Sequence, residues 1–187
     1  MQGLIKWGNE RIYLSIKGVK EWKPHFSRYI KGTDPETYTG VEWLFQGITF
    51  KNKTWQEGTK EVSKEEVQVA FLTDEGKEIV LTTFWTGLAR GLLNTLCSVD
   101  EIGKLSIQLG VSKWGFATAY CRAGEQLLGR WLTWDEQKEL IKVTELPDGS
   151  TNRFYGELEA KLKEKALTIK GKWQEETPVD DLSELPF

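Results

Sequence analysis

Apolar and polar positions alternate through much of the chain up to about residue 132, the pattern of half-buried strands whose successive side chains point to opposite faces. In RIYLSIK, Ile12, Leu14 and Ile16 alternate with Tyr13, Ser15 and Lys17, and the preceding GLIKWGNE is expected to pair with this strand through a turn at Gly8-Asn9. The apolar run from Gly40 to Phe50 predicts another strand, and KNKTWQEGTK after it reads as a basic loop, or a loop with a short strand. The clearest hairpin is EVQVAFLTDEGKEIVLTTF. Val67, Val69 and Phe71 share one face, Asp74-Glu75-Gly76 turns the chain, and Ile79 and Leu81 return along it.

Between about Trp85 and Ser98 the period changes: Leu88, Leu92, Leu93 and Leu96 fall on one face of a helix. Strand alternation resumes in KLSIQLGV, and KWGFATAYCR with EQLLGRWLT predicts a further hairpin across Arg122 to Gln126. Thr133 followed by Glu136 has the spacing of a capping box, which predicts a short helix through Ile141. After a turn at PDGS, the segment NRFYGELEAKLKEKALTIK carries Glu157 four residues before Lys161 and Glu159 four before Lys163, as an exposed helix does. The expected architecture is mainly β with α: an OB-like antiparallel barrel with an inserted helix and C-terminal helices over residues 1–172, and a disordered acidic tail over 173–187. A half-open sandwich satisfies the same strand count.

Composition changes this picture in two ways. With 39% hydrophobic and 28% charged residues in 187, the chain has enough apolar content for a folded body. Its net charge of −3 pools two unlike regions: Gln174–Phe187 holds five acids and no Lys or Arg, which leaves 25 basic against 23 acidic residues, or +2, in residues 1–173. Cys97 and Cys121 form no disulfide framework, and neither a signal pattern nor a membrane-length apolar run occurs, so a reduced, cytoplasmic protein without membrane partners is expected.

Nine tryptophans mark aromatic chemistry, most of it serving strand packing. One stretch reads differently. In KWGFATAYCR, Gly115, Ala117, Ala119 and Cys121 would lie on one strand face, and Trp114, Phe116, Thr118, Tyr120 and Arg122 on the other. Such an aromatic face suits stacking of unpaired bases, which is tolerant of sequence because every base has a π-face. The same rings would serve equally as core if the small face lay under the helix. Lys113 and Arg122 bracket the segment, Arg130 lies on its expected partner, Lys51, Lys53 and Trp55 share the basic loop, and Arg11 belongs to a basic N-terminal third. These cations would track phosphates while the rings hold bases.

Catalytic patterns are few. His25 is the single histidine, which leaves no His-based triad or multi-histidine metal site, and no phosphate-binding glycine loop or dinucleotide fingerprint occurs. No cofactor or metal is expected. The acid pairs Asp74-Glu75, Asp100-Glu101 and Asp135-Glu136 fall at turns and helix starts, where acids serve structure, although carboxylates of this kind also hold magnesium in nucleases.

The last residues, VDDLSELPF, place Asp180, Asp181 and Glu184 ahead of Leu185, Pro186 and Phe187. This segment resembles the acidic tip of bacterial and phage single-stranded-DNA-binding proteins, which ends in apolar residues and a Phe. The short link from Trp173 and the helical C-terminal segment suit a divergent phage-type member. The resemblance implies an OB-fold body that coats single-stranded DNA without catalysis, in the host cytoplasm if phage-encoded. It further implies a tip that recruits replication, recombination and repair enzymes: Phe187 fills a pocket while the acids steer toward a basic surface. Two other readings remain: an interaction protein whose tail docks on a host enzyme without DNA binding by the body, and a carboxylate-dependent nuclease.

Overall fold

The computed structural model describes residues 11–21 and 23–172. The expected GLIKWGNE pairing and the tail from Trp173 onward, with Asp180, Asp181, Glu184, Leu185, Pro186 and Phe187, lie outside the described residues.

The elements run β1 (Ile12–Lys17), β2 (His25–Arg28), β3 (Glu36–Tyr38), β4 (Gly40–Glu57), β5 (Lys60–Leu72), β6 (Glu78–Phe84), α1 (Gly87–Leu96), β7 (Glu101–Ile102), β8 (Lys104–Val111), β9 (Ala117–Ala123) and β10 (Gln126–Leu127). They continue with α2 (Trp134–Glu139), β11 (Lys142–Glu145), β12 (Thr151–Phe154), α3 (Gly156–Ala166) and β13 (Lys170–Gly171). The fold is mainly β. One nine-stranded mixed sheet has the order β10-β9-β8-β4-β5-β6-β1-β2-β3. Its β1–β6 pair is parallel, with Leu14 opposite Leu81, and the other pairs in this sheet are antiparallel.

Alternation sets what this sheet buries. Val67, Val69 and Phe71 of β5, Ile79 and Leu81 of β6, and Leu105, Ile107 and Leu109 of β8 all face one core. On β4 the inward set changes from Val41, Trp43 and Phe45 to Ile48 and Phe50, and a bulge between Phe45 and Gly47 absorbs the change of phase. Leu88, Leu92, Leu93 and Leu96 of α1 fill the core from one side, and Leu158, Leu162 and Ala166 of α3 close it. Truncating a fully buried leucine such as Leu92 would cost about 2–5 kcal/mol.

Four sequence expectations need correction. The segment KNKTWQEGTK is no loop: β4 runs unbroken to Glu57, turns at Gly58 (φ +63°) and returns as β5, with Lys51 opposite Glu66 and Trp55 opposite Val62. Trp114 and Phe116 precede β9 and lie in a tight turn. There Gly115 (φ +80°) donates its N–H to the Ser112 carbonyl at 2.9 Å, and the Ser112 hydroxyl accepts from the Phe116 N–H at 3.2 Å. Of EQLLGRWLT only Gln126 and Leu127 pair as a strand. The expected helix from Asn152 starts instead at Gly156, because Thr151–Phe154 forms a hairpin with Lys142–Glu145. Its turn is fixed by Asp148, which accepts from the Ser150 N–H at 2.9 Å and hydroxyl at 2.6 Å, and by Gly149 (φ +79°).

Candidate nucleic-acid interface

β9 places its small residues inward and its large ones outward. Ala117, Ala119, Cys121 and Ala123 pack against the core on the side where α1 approaches, and side chains this small let the helix come close. Tyr120 and Arg122 therefore face solvent, Tyr120 being 48% exposed. Trp114 and Phe116, at 74% and 63% exposure, stand on the β8–β9 turn, and the Lys113 ammonium lies 5.1 Å from the Trp114 ring. The aromatic set is thus a surface feature, although a turn and a strand present it and not one flat strand face.

These rings border a cavity of about 1110 Å³. Its floor comes from α1, through Leu88, Gly91 and Asn94. One wall is the β8–β9 turn and the start of β9, and the opposite wall is α2 and the β11–β12 hairpin, which bring in Trp134 and Val143, with Tyr155 at the start of α3. A smaller cavity of about 200 Å³ reaches Tyr120, and Arg130 lines both. Trp114, Phe116 and Arg130 therefore lie along one concave surface, whereas the Tyr120 ring lies over Gly110 on the outer face of β9.

Local chemistry fixes the far wall. Thr133 caps α2: its hydroxyl accepts from the Glu136 N–H at 3.4 Å, while the Glu136 carboxylate accepts the Thr133 N–H at 2.7 Å. Donation from the Thr133 N–H, and from its hydroxyl at 2.8 Å, holds the Glu136 carboxyl below its ordinary range. The approach to α2 is clamped by Asn94, which is 2% exposed. Its Oδ1 accepts the Leu132 N–H at 2.8 Å and its Nδ2 donates to the Leu132 carbonyl at 2.9 Å. Gln137 Nε2 donates to the same carbonyl at 3.1 Å.

The large cavity is lined by Lys20, Arg90, Arg130, Lys138 and Arg153, and by no Asp or Glu. Arg90 is engaged: it donates to Glu159 at 2.8 Å, and its guanidinium lies 3.7 Å from the Tyr155 ring centroid. Lys138 bonds Asp135 at 3.1 Å. Lys20, Arg130 and Arg153 make no side-chain hydrogen bond or ion pair among the described residues. Cations concentrated in a concave apolar site without carboxylates raise the local potential and favour a polyanion.

Other expected site residues lie elsewhere. Lys51, Lys53 and Trp55 are on the long β4–β5 hairpin and line neither cavity; Lys53 bonds Glu66 at 2.6 Å, and Trp55 packs on Phe84 at 5.7 Å. Arg11 pairs with Glu78 at 2.7 Å. Arg122 donates to the Glu125 carbonyl at 3.3 Å beside the β9–β10 turn. Sequence reading missed Arg90, Trp134, Lys138, Arg153 and Tyr155. The signal for Arg153 was the Asp148-Gly149 pair between two short alternating runs, which marks a hairpin.

The thiols are inert components of the core: burial pushes both Cys97 and Cys121 up to about 12, with Lys165 opposing the shift slightly at Cys97. Among the described residues no group of three or more His, Cys, Asp or Glu is placed to hold a metal ion, and no helix is long and apolar enough to cross a membrane. Compared with family models, curated proteins and solved structures, the chain finds no match.

Proposed function

We propose that this protein binds single-stranded DNA without strong sequence preference and without catalysis, in the concave surface between the β8–β9 turn, α1, α2 and the β11–β12 hairpin. One observation carries the reading: exposed rings border a carboxylate-free cavity in which Lys20, Arg130 and Arg153 have no ion-pair partner among the described residues. Rings of this kind stack on bases and free cations meet phosphates. The two amide side chains of the site, Asn94 and Gln137, are spent on the Leu132 backbone and so are not free to read base edges. A duplex hides its base faces, so the same site discriminates against it.

The OB-like reading of the body belongs to this proposal. Strands β4, β5, β6 and β8 surround one core with α1 inserted between β6 and β8, β1 joins β6 in parallel, and β2 comes near β8 across the core. That arrangement supports a partly open Greek-key barrel. The acidic tip, Asp180 to Phe187, is proposed to recruit replication or recombination enzymes.

Intrinsic tryptophan fluorescence during titration with an oligo-dT, and with a duplex of equal length, tests the binding reading. Quenching that saturates with oligo-dT at concentrations where the duplex gives none is expected. Equal affinity for both would refute stacking on unpaired bases.

A further inference from the structure

The β4–β5 hairpin extends past the sheet that anchors it. Strand β4 pairs with β8 only from Gly40 to Leu44, and among the described residues its segment Lys51–Glu57 pairs with β5 alone. One edge of that segment therefore presents backbone N–H and C=O groups that have no partner among the described residues. All of its residues are exposed except Trp55, which is half-buried. Such an edge is a template for another strand.

The sequence of the edge is complementary to itself. If two copies pair antiparallel about a two-fold axis at Thr54, Lys51 stands opposite Glu57, Asn52 opposite Gln56, Lys53 opposite Trp55, and Thr54 opposite its own copy. One face of the joint then holds opposite-charge and cation–aromatic pairs, and the other holds amide–amide and Thr–Thr pairs. Each is a favourable cross-strand combination. Sliding the register so that the axis falls at Lys53 would instead oppose two ammonium groups. The edge also carries no apolar side chain but Trp55, so a partner strand must match charge and hydrogen bonding, as a second copy does.

We propose that this edge joins two copies of the chain through antiparallel pairing of Lys51–Glu57, an isologous contact that merges two hairpins into one four-stranded arm. This proposal is independent of the DNA-binding reading. Seven residues span about 24 Å of strand, so the contact is small and the association depends on concentration.

Charge exchange tests it on the full chain by sedimentation velocity over a concentration series. Lys51→Glu alone opposes two carboxylates at each end of the joint, and Glu57→Lys alone opposes two ammonium groups. Wild type is expected to shift from monomer to dimer as concentration rises, and each single variant to remain monomeric. An equimolar mixture of the two variants restores opposite charges at both ends and is expected to associate, as is the double variant. The mixture contains the same proteins as its components, so its gain cannot come from folding. Monomeric wild type at every concentration, single variants that associate like wild type, or a mixture that stays monomeric would each overturn the proposal.

Discussion

Replacing Asn94 by Ala should destabilise the protein and damage the cavity together, because this one side chain ties the floor of the site to its far wall. Leu132 loses two contacts unequally. Its carbonyl keeps the bond from Gln137 at 3.1 Å, whereas its N–H, held at 2.8 Å by Asn94 Oδ1, loses its partner in a buried position. An orphaned buried N–H costs about 1–3 kcal/mol, and the second, redundant bond contributes about 0.5–1.5 kcal/mol. Alanine returns about 0.5 kcal/mol through its better helix propensity within α1. The net expectation is about 1–4 kcal/mol, read as a lower urea midpoint with an unchanged slope. Oligo-dT affinity should fall as well, since Arg130 and Trp134 flank the released segment. A loss below about 0.5 kcal/mol would show that the N–H finds another partner, and the clamp would lose its role.

Smaller perturbations separate binding from folding. Phe116→Ala and Trp134→Ala, at positions 63% and 56% exposed, should each weaken oligo-dT binding by about 1–3 kcal/mol with unfolding midpoints close to wild type; anisotropy titration beside thermal melts checks both. Neither thiol should react with an aromatic disulfide reagent at neutral pH until denaturant is added, because both lie in the core with pKa values pushed up to about 12. At Glu65, burial raises the carboxyl, but hydrogen bonds from Lys163 and Trp85 outweigh it and hold the group below its ordinary value. That stabilisation is complete above the ordinary carboxylate range and is lost as pH falls through the depressed value. Glu65→Gln should therefore lower the urea midpoint at neutral pH, with the gap to wild type narrowing as pH falls below the ordinary carboxylate range.

Strands and α1 were legible because their burial is one-sided: Val67, Val69 and Phe71 on β5, or Leu88, Leu92 and Leu96 on α1, write the period directly into the chain. The β4–β5 hairpin past Phe50 was not, because residues exposed on both faces carry no alternation; its strand state comes from hydrogen bonding to β5 alone. The outward direction of Tyr120 was undecidable from periodicity, since small residues suit both a crowded interior and the underside of a helix. Packing of α1 on β9 decides it. The far wall of the cavity was missed for a different reason. Arg153 and Tyr155 lie where a hairpin gives way to a helix, and the Glu–Lys spacing of α3 invited extending the helix backward over them.

The salt dependence of oligo-dT binding, measured for wild type, Arg130→Ala and Arg153→Ala, tests the central claim most directly. Both cations line the cavity and neither has an ion-pair partner among the described residues. If each meets a phosphate of the bound strand, each substitution lowers the slope of log K against log salt by about 0.7, with affinity falling most at low salt. Slopes and affinities equal to wild type in both variants would place the bound strand elsewhere and contradict the account.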